Sequence, residues 1–146
     1  MVKEGFSFAF CFSRLFACRF VFLWAFVCRS FVMRYTCSLK NNFEFRRLYS
    51  RGKNAVNPFL AVYFRKTGNK ENRLGITVST KVGKAVTRNL VRRRIREAYR
   101  LHESEFVSPV DLVVVARVRC ANSTFWQIEN ALLELSAKLG LLKGTE

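Results

Sequence analysis

Residues 81 to 100 read KVGKAVTRNLVRRRIREAYR, eight basic side chains against the single acid Glu97. Read as a helix over residues 85 to 102 and wound at about 100° per residue, this segment puts Val91, Ile95, Ala98 and His102 on one stripe. Arg88, Arg92 and Arg96 follow one another at i, i+4 on the adjacent stripe, with Asn89, Arg93 and Arg100 beside them and Lys81 and Lys84 ahead of them. One edge can therefore be buried while the other presents guanidinium groups. Like charges four apart weaken a helix by about a few tenths of a kcal/mol per pair, and a merely solvated helix face usually mixes its signs. Phosphate recognition is the chemistry that answers the pattern. A guanidinium donates two parallel N–H bonds to phosphate oxygens and stacks on unpaired bases. Gly83, just before the helix, lets the backbone turn tightly.

Other chemistries are poorly supplied. General acid–base catalysis needs positioned titrating groups, and the chain offers one histidine and scattered carboxylates. His102 reads as a core or helix-end residue, and Asp111, at the start of a strand pattern, as a turn residue. The five cysteines, Cys11, Cys18, Cys28, Cys37 and Cys120, form no C-x-x-C pair. With one imidazole to join them they point to free thiols in a reducing cytoplasm, not to a disulfide frame or a metal site.

The elements that must position these residues fit one domain. Across the chain 26 Lys and Arg stand against 10 Asp and Glu, a formal charge of +16. Such a balance repels itself unless a polyanion shares the field, so nucleic acid is the expected partner. An anionic membrane surface is the competing one, and it depends on residues 1–32, which hold nine of the fifteen phenylalanines. Arg14, Arg19 and Arg29 cut that stretch into runs too short for a membrane span, and it makes a poor signal peptide. Composition changes abruptly at Met33. The expectation is that translation starts there, with residues 1–32 an upstream extension and residues 33–146 a single RNA-binding domain. Without the extension 22 basic residues still face nine acidic ones.

Asn41 and Glu44 resemble a capping box ahead of a helix over 42–51, with Gly52 as its stop. Phe45 and Tyr49 share a face of that helix, which in the plainest reading is core. A short strand near 53–56 is followed by Phe59 to Phe64, a turn over 67–72 and a second run, Leu74 to Thr80, the last two runs reading as a hairpin. Asp111 to Val118 is nearly all valine, as in a strand buried on both faces. Thr124 and Gln127 cap a closing helix whose Phe125, Ile128, Leu132, Leu135 and Leu139 recur at 3–4 spacing. The order argues α+β or α/β, with about three helices on a mixed sheet of about four strands.

The run Lys81, Gly83, Ala85, Val86, Arg88, Asn89, Arg92, Arg93, Arg96 resembles the arginine–asparagine–arginine signature of the bacterial ribonuclease P protein subunit. The similarity extends over about residues 38 to 140, through SLKNNFEFRRLYSRG, RLGITVSTK and DLVVVARV. Arg92 stands where that family often has lysine, and the Phe-rich N-terminus has no counterpart. The resemblance implies an α+β fold with a four-stranded sheet and a left-handed βαβ crossover, where chain physics alone would favour the right-handed one. It implies partnership with a catalytic RNA that removes the 5′ leader of precursor tRNA, with catalysis and magnesium belonging to the RNA. It also implies RNA contacts by Lys81, Lys84, Arg88, Asn89, Arg92, Arg93, Arg96 and Arg100, and a leader cleft lined by Phe45, Tyr49 and Tyr63. No cofactor held by the protein, small-molecule ligand or membrane is expected, and the location expected is cytoplasmic. The alternative from the residues alone is a ribosomal or chaperone-like RNA binder, since fold does not fix function.

Overall fold

The computed structural model describes residue 33 and residues 36–143; the Phe/Arg-rich stretch 1–32, with Cys11, Cys18 and Cys28, lies outside the described residues. In chain order the elements are β1 (Thr36–Ser38), α1 (Asn42–Arg51), β2 (Lys53–Val56), β3 (Leu60–Lys66), β4 (Asn72–Val78), α2 (Ala85–Leu101), β5 (Val110–Ala116) and α3 (Phe125–Lys138), joined in places by short 3₁₀ turns. The strands form one mixed sheet in the order β1-β4-β5-β3-β2.

Two expectations are corrected here. The sheet has five strands, not four; the additional one, β1, spans three residues and pairs parallel with β4. And β3 and β4 do not form a hairpin. β5 lies between them, antiparallel to β3 and parallel to β4, while β3 makes its hairpin with β2. The reason lies in β5 itself, whose Leu112, Val113 and Val114 need cover on both faces and so take the middle of the sheet.

Alternation along the strands divides the core. Leu60, Val62, Phe64, Leu74, Val78, Leu112 and Val114 face α2 and α3, and pack with Val91, Ile95, Tyr99, Ile128, Leu132 and Leu135. The opposite face takes α1, where Leu39 and Leu48 close over Val113, with Phe45, Tyr63 and Val115 at the margin.

The Thr124 capping box forms as its spacing requires, with Gln127 N–H donating to Thr124 Oγ1 at 3.4 Å and Thr124 N–H to Gln127 Oε1 at 3.0 Å. Asn41 makes no side-chain cap bond, and the reciprocal half of the box is missing because the Glu44 carboxylate is drawn into an ion pair with Arg73. Gly52 ends α1 with φ −81°, not in a left-handed turn. A glycine is required there by space, since a Cβ would lie 2.4 Å from the Leu48 carbonyl oxygen.

Candidate nucleic-acid interface

At the C-terminal end of β4 the chain passes through a 3₁₀ turn, with Ser79 Oγ accepting from Lys81 N–H, and then through Gly83 at φ 144°, where a side chain would be strained. α2 begins immediately afterwards. Its Val91, Ile95, Ala98 and Tyr99 are buried. The Tyr99 hydroxyl meets Thr36 Oγ1 at 3.1 Å and its ring lies 4.7 Å from that of Phe106, fixing the helix in rotation as well as position.

With that edge held, Asn89, Arg92, Arg93 and Arg96 are exposed on the other, Lys81 and Lys84 are exposed before it, and Arg88 is half-buried. Arg92 Nη1 donates to Asn89 Oδ1 at 3.3 Å. Among the described residues no carboxylate forms an ion pair with Lys81, Lys84, Arg88, Arg92, Arg93 or Arg96. Arg100 differs. Its Nε and Nη2 donate to Glu97 at 2.9 and 2.5 Å, and the bond from Arg100 holds the Glu97 carboxyl below its ordinary range although partial burial opposes this. Arg94 leaves the face altogether to donate to the Ser123 carbonyl at 2.5 Å, tying α2 to the approach to α3.

His102 caps the C-terminal end of α2, where its two ring nitrogens reach Glu105 at 3.1 Å and Glu129 at 2.9 Å. Burial works against its charge, but the bonds to Glu129 and Glu105 outweigh it and raise its pKa above the ordinary value.

Phe45, Tyr49 and Tyr63 come together on the face of the sheet under α1. Tyr49 packs edge-on to Tyr63 at 5.1 Å and lies 6.5 Å from Phe45, and its hydroxyl meets Thr77 Oγ1 at 3.0 Å. Phe45 and Tyr63 belong partly to the small core there, whereas Tyr49 is 41% exposed. Gly75 was missed by sequence reasoning although it makes this arrangement possible. Phe45 lies over it, and a Cβ on Gly75 would come within 2.6 Å of Phe45 Cε1. The readable signal was an isolated glycine inside a strand pattern, which often marks such a close approach.

Asp111 is corrected. It is a buried strand residue, not a turn residue, and both its oxygens are taken by Arg73, at 2.7 and 2.6 Å. Cys37 and Cys120 are free thiols, as expected. Among the described residues no cluster of three or more His, Cys, Asp or Glu could hold a metal, and no helix is long and apolar enough to cross a membrane.

The family model named Ribonuclease P matches residues 33–140. The ribonuclease P protein component of Alkaliphilus metalliredigens is 41% identical over 104 residues, 71% of this chain and 94% of that protein. Its counterpart in Clostridioides difficile is 45% identical over 101 residues, 68% of this chain and 89% of that one. Among solved structures, the Staphylococcus aureus RNase P protein superposes with a TM-score of 0.68 at 34% identity, covering 73% of this chain and 97% of that one. The Thermotoga maritima protein gives 0.62 at 33% identity, covering 66% and 92%.

Proposed function

Because this chain belongs to the ribonuclease P protein family, we propose that its α2 face docks on the catalytic RNA of that ribonucleoprotein while the α1 face of the sheet holds the single-stranded 5′ leader of precursor tRNA. As a ribonuclease P component the protein takes part in tRNA processing, in an endoribonuclease whose bond-breaking chemistry and magnesium ions we assign to the RNA. The alternative of a ribosomal or chaperone-like binder draws no support from these relatives.

One observation carries the reading: Arg92, Arg93 and Arg96 stand exposed and without a described carboxylate on a helix whose other edge is locked to the sheet. Lys81, Lys84, Arg88 and Asn89 extend that surface toward the start of α2. Arg100 is the weakest member of the set, since Glu97 already answers its charge. The leader fits the aromatic cluster because stacking on tyrosine and phenylalanine tolerates any base, at about 1–3 kcal/mol per base, and leaders vary in sequence. On the same family ground the β4–α2–β5 crossover is assigned the left hand, and residues 33–146 are assigned as the RNA-binding domain, apart from residues 1–32. An intact mass of the natively expressed protein starting at Met1 would overturn the Met33 start.

The test is reconstitution with the ribonuclease P RNA. Arg88→Ala or Arg92→Ala should slow precursor processing at low magnesium, and wild-type protein without the RNA should leave precursor intact. Cleavage by the protein alone, or variants that process as wild type, would contradict the proposal.

A further inference from the structure

The α1 face of the sheet continues past the aromatic cluster to the N-terminal ends of β4 and β5. Arg65, Asp111 and Arg73 sit side by side there on adjacent strands, Arg65 and Arg73 each in register with Asp111. Two arginines thus flank one buried carboxylate, but the sharing is unequal. Asp111 gives both oxygens to Arg73, and Glu44 reaches over from α1 to pair with the same guanidinium. Arg65 has no ion pair with a described carboxylate, and its Nη1 is buried without a hydrogen-bond partner.

Beside this row lies a cavity of about 440 Å³, lined among others by Arg47 from α1 and by Arg65, Lys66, Arg73 and Asp111 from the strands. Neither Arg47 nor Lys66 is ion-paired to a described carboxylate. The carboxylates are committed to Arg73, so three cations are left uncompensated around one hollow. Arg65 is the next residue after Tyr63 on the same face of β3, one step of about 7 Å along the strand.

We infer that this cavity binds a phosphate of single-stranded RNA, held by Arg47, Arg65 and Lys66, in continuation of the track marked by Tyr49 and Tyr63. The inference rests on the leader reading above and deepens it by naming where the backbone runs after the aromatic cluster. A guanidinium that lines an open cavity without an ion pair is answered by an oxyanion with several acceptor oxygens. The aromatic residues next to it supply faces for the bases that such a phosphate would join.

The test uses the reconstituted holoenzyme carrying Arg47→Ala/Lys66→Ala, both exposed positions, and separately Arg65→Gln. Binding is measured for a precursor with a long leader, for one with a single-nucleotide leader, and for the catalytic RNA with protein alone. Each variant should weaken binding of the long-leader precursor severalfold, about tenfold for the double variant, and flatten its log–log salt dependence by up to about 0.7, the share of one single-strand phosphate. The short-leader precursor and the catalytic RNA should bind as before. A loss seen with the catalytic RNA, and equally with both precursors, would keep the phosphate site but place the phosphate in that RNA. Unchanged affinity and salt slope in all three measurements would overturn the site. Failure of the leader reading shows separately, in a Tyr49→Ala variant that binds the long-leader precursor as tightly as wild type.

Discussion

Arg92 and Arg100 lie two turns apart on one helix, yet only Arg100 is answered by a carboxylate. An arginine that exchanges a carboxylate for a phosphate gains little, so Arg100→Gln should change RNA affinity and its salt slope much less than Arg92→Gln, measured by titration at several salt concentrations. Equal losses would show that Glu97 releases its partner on binding. Tyr49 offers a second contrast. Tyr49→Ala should cost about 1–3 kcal/mol of long-leader precursor binding, whereas Tyr49→Phe, without the bond to Thr77, should keep most of it; equal defects would mean that the hydroxyl matters and stacking does not. At this scale the sequence is legible where residue type alone decides the role, as with the unpaired arginines. It is not legible where a long-range partner decides it. Nothing near Asp111 in the chain announces Arg73, 38 positions away, and nothing near Glu44 shows that it serves the same arginine instead of the α1 cap.

For the elements, α1 and the Thr124-capped α3 can be read because helix periodicity and capping are local, and β2 because its turn neighbours are. Pairing is not local. Two strands joined by a turn suggest a β3–β4 hairpin, yet the stronger demand is that of β5 for cover on both faces, and satisfying it separates them. β1 is too short to show a period of its own. Gly75 in β4 leaves room for Phe45; Gly75→Ala should therefore destabilise the fold by about 1–3 kcal/mol through overpacking and loosen leader binding with it, seen by urea unfolding and precursor titration. Stability unaffected by the added methyl would show that Phe45 moves aside freely. At the C-terminal end of α2, His102 has a folded-state pKa raised above its ordinary 6.5. Its stabilising share is thus fully present below that ordinary value and fades as pH rises through the higher folded one. Urea unfolding between about pH 5.5 and about pH 8 should show a loss of about 0.3–1 kcal/mol that His102→Gln removes, the size expected of a cation at a helix C-terminus. A wild-type profile as flat as that of the variant would mean that Glu105 and Glu129 do not hold the proton.

Taken whole, the molecule separates two surfaces with one sheet. α2 and α3 cover one face, with the arginines of α2 turned outward, while α1 only partly covers the other and leaves the aromatic cluster at its margin. The positive charge of the chain is plain from composition, and so is its need of a polyanion. Which surfaces carry it is not, because the orientation of α2 depends on Tyr99 meeting Thr36 and Phe106 and on Arg94 meeting Ser123. The central claim is that exposed guanidinium groups on α2 meet an RNA backbone. It is tested most directly by titrating the ribonuclease P RNA with wild-type protein and with the Arg92→Gln/Arg96→Gln variant over a range of salt, with circular dichroism to verify folding. The wild-type slope of log affinity against log salt should exceed that of the folded variant by about 0.9 per arginine, or nearly two. Two superimposable lines from two folded proteins would contradict it.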